Sequence, residues 1–161
     1  MRRFEDFAPG DVYRSSIGRT VTETDNLLFT TLAMNTNELH FNDVAAAATE
    51  WERPLVNSTF TLALVLGLSV TDTTQAGGVN VGWTEIRLPK PVFVGDTLWA
   101  ETEVTSVRES RSRPDQGIVA VRTRGLNQRG EVVCEFARSF LVPKAENAGS
   151  GFPGTSEPWR V

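Results

Sequence analysis

Cysteine and histidine are scarce in this chain, which has 161 residues but only one of each, Cys134 and His40. A single cysteine cannot form an internal disulfide bond, which excludes a disulfide-stabilised fold and fits a reducing compartment. One cysteine and one histidine also cannot assemble a zinc cluster, so we expect no metal site. The longest apolar run, residues 60–70, is too short to cross a bilayer, which needs about 20 residues.

An excess of basic residues is missing as well. Sixteen Lys and Arg against 20 Asp and Glu give a formal net charge of −4, which argues against a dedicated nucleic-acid binder. The first residues lack the apolar stretch of a secretory signal, and no glycine-rich loop is placed to bind a phosphate. With 40% hydrophobic and 22% charged residues, the chain is predicted to form one cytoplasmic globular domain without a nicotinamide, flavin or metal cofactor and without contact to nucleic acid or membrane.

The N-terminal part of the chain predicts a strand, a helix and a structured loop. Residues 12–22 follow a Pro-Gly-Asp turn and are rich in β-branched side chains, which favours a strand. Thr22 or Thr24 can cap a helix in which leucines recur at helical spacing. Residues 35–42 are dense in asparagine, which prefers turns and caps to helix interiors.

Residues 57–72 carry apolar side chains nearly all round and begin with Asn57 or Ser58, either of which is a good N-cap. This pattern predicts a helix that is buried on every side. The second half of the chain is predicted to form four strands joined by short links, which requires antiparallel pairing; the strands are residues 79–88, 97–107, 117–126 and 131–142. A long antiparallel sheet wrapped around one apolar central helix is an α+β arrangement, the hot-dog fold.

The domain is expected to end with the last strand. Because that strand is the last predicted element, we assign residues 1–143 to a single hot-dog domain. Residues 144–161, which are rich in glycine and proline, are assigned to a loop-like tail. The apolar face of the last strand carries one charged residue, Arg138. Phe152 and Trp159 suggest that part of this tail contacts a surface.

His40 is the natural general acid or base, because histidine is the side chain whose unperturbed pKa lies nearest neutrality. Asn35 and Asn37 lie in the same loop, and their amides can orient water or a ligand. On composition alone, a lone loop histidine is more often a solvated or locally bonded residue than a catalytic one.

Backbone N–H groups at the start of the apolar helix are a second candidate feature. The first N–H groups of a helix lack intrahelical acceptors and lie at the positive end of the helix dipole. Those near Asn57, Ser58 and Thr59 are therefore candidate donors to a developing oxyanion. Simple helix capping is the alternative role for Asn57 and Ser58.

Three segments of the sequence carry a resemblance. The first is LAMNTNELHFN followed by RPLVNS, at residues 32–42 and 53–58; the second is KPVFVGDT, at residues 90–97; the third is RGLNQRGEVV, at residues 124–133. They are similar to segments of the MaoC-like, (R)-specific enoyl-CoA hydratase family. The resemblance covers most of residues 4–143.

That family has a motif Asp-x-Asn-Pro-x-His before the buried helix, and its Asp and His are the catalytic pair that hydrates trans-2-enoyl-CoA on a hot-dog fold. The resemblance implies that His40 matches the family histidine and Asn37 the family asparagine. Asn35 stands at the position of the catalytic aspartate, and Glu38 at that of the proline. Since an amide is not a base, the implied scheme has His40 moving the proton and Asn35 positioning the water.

Residues 109–114 and those that follow are similar to family members acting on branched dicarboxylic acyl-CoAs, such as mesaconyl-CoA or itaconyl-CoA. Beside them, Arg108, Arg111 and Arg113 form a basic cluster that either binds the phosphates of coenzyme A or is a solvated turn. Three acidic residues are candidates for a second acid, or are caps and solvated side chains: Glu38, Asp43 and Glu50.

The sequence therefore predicts an acyl-CoA hydratase, or a dehydratase in the reverse direction, whose substrate is a coenzyme A thioester and which needs no cofactor. Two alternatives stay open: a hot-dog acyl-CoA thioesterase, and a non-catalytic acyl-CoA-binding or partner subunit that the Asn35 substitution favours. The resemblance also implies that subunits pair so that their sheets join and their sites form at the boundary. We therefore expect a homodimer or a multiple of dimers.

Overall fold

A computed structural model describes residues 1–145 of the chain. The helices are α1 (Glu23–Leu32), α2 (Asp43–Ala47), α3 (Ser58–Leu68) and α4 (Val70–Thr73). The strands are β1 (Val12–Arg14), β2 (Arg19–Thr20), β3 (Val79–Arg87), β4 (Thr97–Glu109), β5 (Gln116–Asn127) and β6 (Val132–Pro143). The predicted tail lies outside the described residues from position 146 onward, with its Phe152 and Trp159. Within residues 1–145, no helix is long and apolar enough to cross a membrane.

The strands form one antiparallel sheet in the order β1-β4-β5-β6-β3, and β2 also pairs with β4. The four strands predicted in the second half are confirmed to within two residues at each end. The single strand predicted for residues 12–22 is wrong, since β1 and β2 are two short strands. Between them, Gly18 packs against the Trp99 ring, where an added Cβ would lie 2.3 Å from Trp99 Cε2.

Helix α3 packs on one face of the sheet, against β4, β5 and β6, as the hot-dog prediction requires. Val65, which is fully buried, lies over Gly125 of β5 at such close range that an added Cβ would meet Val65 Cγ2 at 2.4 Å. The apolar side chains around this contact form the main core: Val21, Val56, Val65, Val92, Leu98, Ala100, Val133, Cys134 and Phe136.

The predicted burial of α3 on every side is wrong for the single chain. Only Thr61 and Val65 of α3 are buried, whereas Ala63 and Gly67 are exposed and the four leucines of the helix are half-buried. The physical reason is that the sheet is a single layer, which covers one face of the helix. The remaining apolar face has no cover among residues 1–145.

Helix α1 has the reverse of the usual pattern of burial. Thr22 caps it as one of the two predicted caps, with Thr22 Oγ1 accepting a hydrogen bond from the Asp25 N–H at 3.2 Å. Its polar Asn26 and Thr30 are buried, while its leucines are exposed, Leu32 by 74%. The polar face of α1 therefore points into the molecule.

Arg138, the exception on the apolar face of β6, is 3% exposed and has no acidic partner within residues 1–145. Its guanidinium donates to Asn80 Oδ1 at 2.8 Å, Ser69 Oγ at 2.9 Å and Thr73 Oγ1 at 2.8 Å. The Ser69 and Thr73 hydroxyls donate onward to carbonyls of α3 and its extension, where the helix carries partial negative charge. Burial lowers the pKa of Arg138 to about 10.

Candidate active site

His40 ends a short 3₁₀ turn, Glu38–His40, and is buried. Its Nδ1 lies 2.9 Å from the carbonyl oxygen of Leu55. A carbonyl oxygen can only accept, so Nδ1 is the nitrogen that carries the proton of the neutral ring. The lone pair is then on Nε2, which has the chemistry of a general base.

Asn35 and Asn37 are confirmed as part of the same folded loop, but neither forms a hydrogen bond with the His40 ring. Asn35 Oδ1 accepts from the Asn37 N–H at 3.0 Å, and Asn37 Oδ1 accepts from the Leu39 N–H at 3.1 Å. Both side-chain oxygens therefore build the turn that presents His40. Asn35 Nδ2 has no acceptor in the described part of the chain, so it is free to donate to a ligand or water.

The N-terminus of α3 lies against this loop. Asn57 is its N-cap, and the Asn57 Oδ1 accepts from the Thr59 N–H at 3.0 Å and from Thr59 Oγ1 at 2.6 Å. The Asn57 N–H donates to Asn26 Oδ1 at 2.8 Å. Of the three predicted oxyanion donors, Asn57 and Thr59 are thus occupied, and only the Ser58 N–H has no acceptor within residues 1–145.

A small cavity of about 270 Å³ adjoins Ser58. Its walls are the segment after α2, the first turn of α3 and the segment that leads into β4, and they include Trp51, Leu55, Thr61 and Val92. The cavity is thus bounded by the residue whose carbonyl holds His40 and by the first residue of α3. His40 itself is not among the residues that line the cavity.

The acidic residues that flank the motif do not bond to the His40 ring. Glu38, Asp43 and Glu50 are exposed. Glu38 Oε1 accepts from Asn42 Nδ2 at 3.2 Å. Among residues 1–145, therefore, no carboxylate forms a hydrogen bond with the His40 ring.

The structure does not bring Arg108, Arg111 and Arg113 close to His40. They are exposed at the hairpin between β4 and β5, where Glu109 pairs with Gly117. Gly117 lies eight residues along β5 from Gly125, or roughly 26 Å at the usual strand rise, in the direction of the C-terminus of α3. The cluster is therefore at the opposite end of the sheet from the His40 loop.

Two further features do not adjoin His40. A cleft of about 490 Å³ lies on the outer face of the sheet, where its charges pair with one another, as Glu101 does with Arg14 and Arg124. Cys134 is fully buried, and desolvation raises the pKa of its thiol to about 11. It is therefore a packing residue rather than a nucleophile.

Sequence reasoning missed Asn26. It is 2% exposed, and it links the His40 loop, the Leu55 carbonyl and the N-terminus of α3 by hydrogen bonds. The available signal was an amide four residues before Thr30 in a helix otherwise rich in leucine, since residues i and i+4 lie on one face of a helix.

Comparison with known proteins adds three observations. The family model described as mesaconyl-CoA hydratase matches residues 2–157. A mesaconyl-CoA hydratase of Cereibacter sphaeroides is 37% identical over 147 residues, which are 91% of this chain and 43% of the relative. An (R)-specific enoyl-CoA hydratase of Aeromonas caviae is 35% identical over 102 residues, covering 63% of this chain and 72% of the relative.

Among solved structures, a MaoC-like dehydratase from Rhodospirillum rubrum superposes with a TM-score of 0.79 at 29% identity, covering 89% of this chain and 98% of that one. The mesaconyl-CoA hydratase relatives are more than twice as long as the matched region, so this chain spans about two fifths of their length.

Proposed function

The chain belongs to the mesaconyl-CoA hydratase family, and on this basis we propose that it adds water across the double bond of an enoyl-CoA thioester, or removes it in the reverse direction. The observation that carries the proposal is the placement of His40. Its Nδ1 is held by the Leu55 carbonyl, which leaves Nε2 as a base, and the free Ser58 N–H lies at the adjoining end of α3.

In the proposed reaction a single base, His40, both takes and returns the proton. His40 Nε2 takes a proton from water while the water oxygen bonds to Cβ of the enoyl group, and the electron pair moves to the thioester oxygen as an enolate. The Ser58 N–H and the positive end of α3 stabilise that negative charge. The imidazolium then returns the proton to Cα. The electron pair of the enolate double bond forms the new C–H bond, the thioester carbonyl re-forms, and one water molecule has been added.

Asn35 has a different role from the aspartate of the family motif. An amide does not accept a proton at neutral pH, but the unoccupied Nδ2 can donate to the oxygen of the attacking water. The reaction needs no metal or organic cofactor in this scheme, since proton transfer and hydrogen bonding supply each step. The only coenzyme involved is the coenzyme A of the substrate.

The proposed substrate is a branched dicarboxylic acyl-CoA, such as mesaconyl-CoA or itaconyl-CoA. Two relatives support this choice. One is the mesaconyl-CoA hydratase of Cereibacter sphaeroides, and the other is a β-methylmalyl-CoA dehydratase of Chloroflexus aurantiacus that is 32% identical over 143 residues. A role of Arg108, Arg111 and Arg113 in binding coenzyme A stays a prediction; within one chain they lie at the opposite end of the sheet from His40. Coenzyme A esters and a free buried thiol are both in keeping with a cytoplasmic protein.

We propose that two copies pair through β3. Within residues 1–145 this strand forms one edge of the sheet and pairs with β6 alone, so its other edge offers backbone groups without a partner in that range. Large apolar side chains along it are exposed, among them Val81 and Trp83. A second copy that extends the sheet at β3 would give a homodimer, or a multiple of dimers, and bring further cover to the open face of α3.

The test follows the loss of enoyl-thioester absorbance with mesaconyl-CoA, itaconyl-CoA and crotonyl-CoA. The informative variant is His40→Asn, because the Asn amide can still donate to the Leu55 carbonyl but has no equivalent of Nε2. We expect turnover by the wild type and a fall in kcat of about 10²–10⁴-fold in the variant. Glu38→Gln is the matched control and is expected to retain activity, since the exposed Glu38 carboxylate bonds to Asn42 and forms no hydrogen bond with His40.

Three other outcomes would contradict the proposal. Activity of His40→Asn equal to that of the wild type would show that His40 is not the base. Release of free thiol would identify a thioesterase. Binding of the esters without turnover would favour the non-catalytic subunit, which is the second candidate because Asn35 replaces the family aspartate.

A further inference from the structure

Asn26 lies on the buried face of α1 and uses both ends of its amide. Asn26 Nδ2 donates to the carbonyl oxygen of His40 at 2.8 Å and to that of Leu55 at 3.1 Å. Asn26 Oδ1 accepts from the Asn57 N–H at 2.8 Å. Because carbonyls only accept and a backbone N–H only donates, this orientation of the amide is the one that satisfies all three contacts.

We propose that Asn26 is the positioning residue of the site: it fixes the tautomer and direction of the His40 ring and sets the N-terminus of α3 against it. The inference rests on the proposed function in assigning His40 the role of base. Asn26 itself does not touch the substrate in this scheme. It acts through the Leu55 carbonyl and through Asn57.

The Leu55 carbonyl is the first of these connections. Its oxygen accepts from both His40 Nδ1 and Asn26 Nδ2, which uses both of its lone pairs. Asn26 also holds the His40 carbonyl, so the ring and its acceptor are tied to one amide. Backbone bonds also hold this peptide, since the Leu55 N–H donates to the Leu39 carbonyl at 3.1 Å and the Val56 N–H to the Val92 carbonyl at 2.9 Å. Loss of Asn26 therefore removes the donor shared by the His40 and Leu55 carbonyls, which is the side-chain link between the imidazole and its acceptor.

The start of α3 is the second connection. The Asn57 N–H is occupied by Asn26 Oδ1, so Ser58 becomes the first residue of the helix with a free N–H. One turn further along α1, Thr30 Oγ1 accepts from Asn57 Nδ2 at 3.2 Å. Helix α1 therefore holds the proposed base and the proposed oxyanion donor in one fixed relation, which is the form of preorganisation that catalysis requires.

His40 is the only histidine in the chain, so an ¹H–¹⁵N correlation spectrum of the imidazole region needs no assignment. At about pH 9, where an unperturbed imidazole is neutral, the wild type is expected to show the tautomer protonated on Nδ1. In Asn26→Leu, which keeps the branching and the number of side-chain heavy atoms but loses the three hydrogen bonds, we expect a mixture of the two tautomers. We also expect kcat to fall about 10–100-fold with KM changed by less than about threefold.

The control is Thr102→Val, which removes the buried hydrogen bond between Thr102 and Thr123 in the sheet. It is expected to lower stability while leaving the imidazole spectrum and kcat unchanged, which separates positioning from a general loss of stability. If Asn26→Leu does not fold, Asn26→Ser, which is smaller and keeps a hydroxyl, is measured in the same way.

The inference is overturned if the wild type shows the tautomer protonated on Nε2, or if a folded Asn26 variant keeps both the wild-type tautomer and the wild-type kcat. The spectrum does not depend on turnover. An inactive wild type with the expected tautomer change would therefore reject the proposed function alone, whereas an active wild type with no change would reject the role of Asn26 alone.

Discussion

The contact between α3 and β5 allows a quantitative test of how the helix is seated. A Cβ added at Gly125 would lie 2.4 Å from Val65 Cγ2 and 3.2 Å from Cγ1, whereas carbon atoms in contact are about 3.5–4.0 Å apart. Gly125→Ala must therefore displace the helix by roughly 1 Å or force Val65 from its preferred rotamer. Gly125 does not have a positive φ, so the effect of the substitution is steric.

The expected losses of unfolding free energy follow from packing. Gly125→Ala overpacks the core and should cost about 1–3 kcal/mol. Val65→Ala removes two buried methyl groups and leaves a cavity, which should cost about 2–3 kcal/mol. In the double variant the new methyl group at position 125 enters the space that Val65 vacates. We therefore expect a total loss of about 1–3 kcal/mol rather than the sum of the two single losses.

The assay is urea unfolding followed by tryptophan fluorescence and far-ultraviolet circular dichroism, with all variants at one protein concentration because association adds to apparent stability. Gly82→Ala is the matched control, since Gly82 is also a strand glycine but has open space around its Cβ position. It should leave stability unchanged or raise it by up to about 1 kcal/mol, because alanine loses less conformational entropy on folding than glycine. If the two single losses add to within about 0.5 kcal/mol in the double variant, α3 is not seated on Gly125 and the reasoning fails.

Two further predictions concern assembly and acid stability. Sedimentation velocity at micromolar concentration is expected to show a dimer or a multiple of dimers, because β3 has an open apolar edge; an active monomer would contradict this. Hydrogen bonds from Asn127, Lys90 and Arg129 lower the pKa of Glu131 to about 2. Because that pKa is depressed on folding, its stabilising effect is complete above about pH 4.5 and is lost as the pH falls towards 2. Glu131→Gln should therefore flatten the decline of urea midpoints between pH 5 and pH 3, and an unchanged decline would assign it to other carboxylates.

The strands were predictable because their pattern is local. In β6, alternate residues from Cys134 to Val142 face the core, and the sequence shows the same alternation of side-chain type apart from Arg138. Burial of helices was not predictable in the same way. The sequence of α3 is apolar on all sides, but which sides are covered depends on how much sheet the fold supplies. In helix α1 the polar face is buried, because Asn26 and Thr30 form hydrogen bonds with residues that are distant along the chain.

The candidate site was predictable in part. His40 was predicted from its type and from the motif around it, and the start of α3 from its capping residues. Asn26 was missed because its partners, the carbonyls of His40 and Leu55 and the Asn57 N–H, are 14 to 31 residues away along the chain. Arg138 was noted only as an exception, because its hydroxyl and amide acceptors come together only when α4 and β3 pack on β6.

During synthesis, the residues of the proposed site leave the ribosome before the sheet that supports them. The long strands β4, β5 and β6 follow one another in both sequence and space, so residues 97–143 can form successive hairpins with short loop closures. Asn26, His40 and α3 all precede them, and α3 has no surface to pack on until those strands have formed. The segment with the proposed chemistry therefore precedes, in translation, the strands that complete its packing.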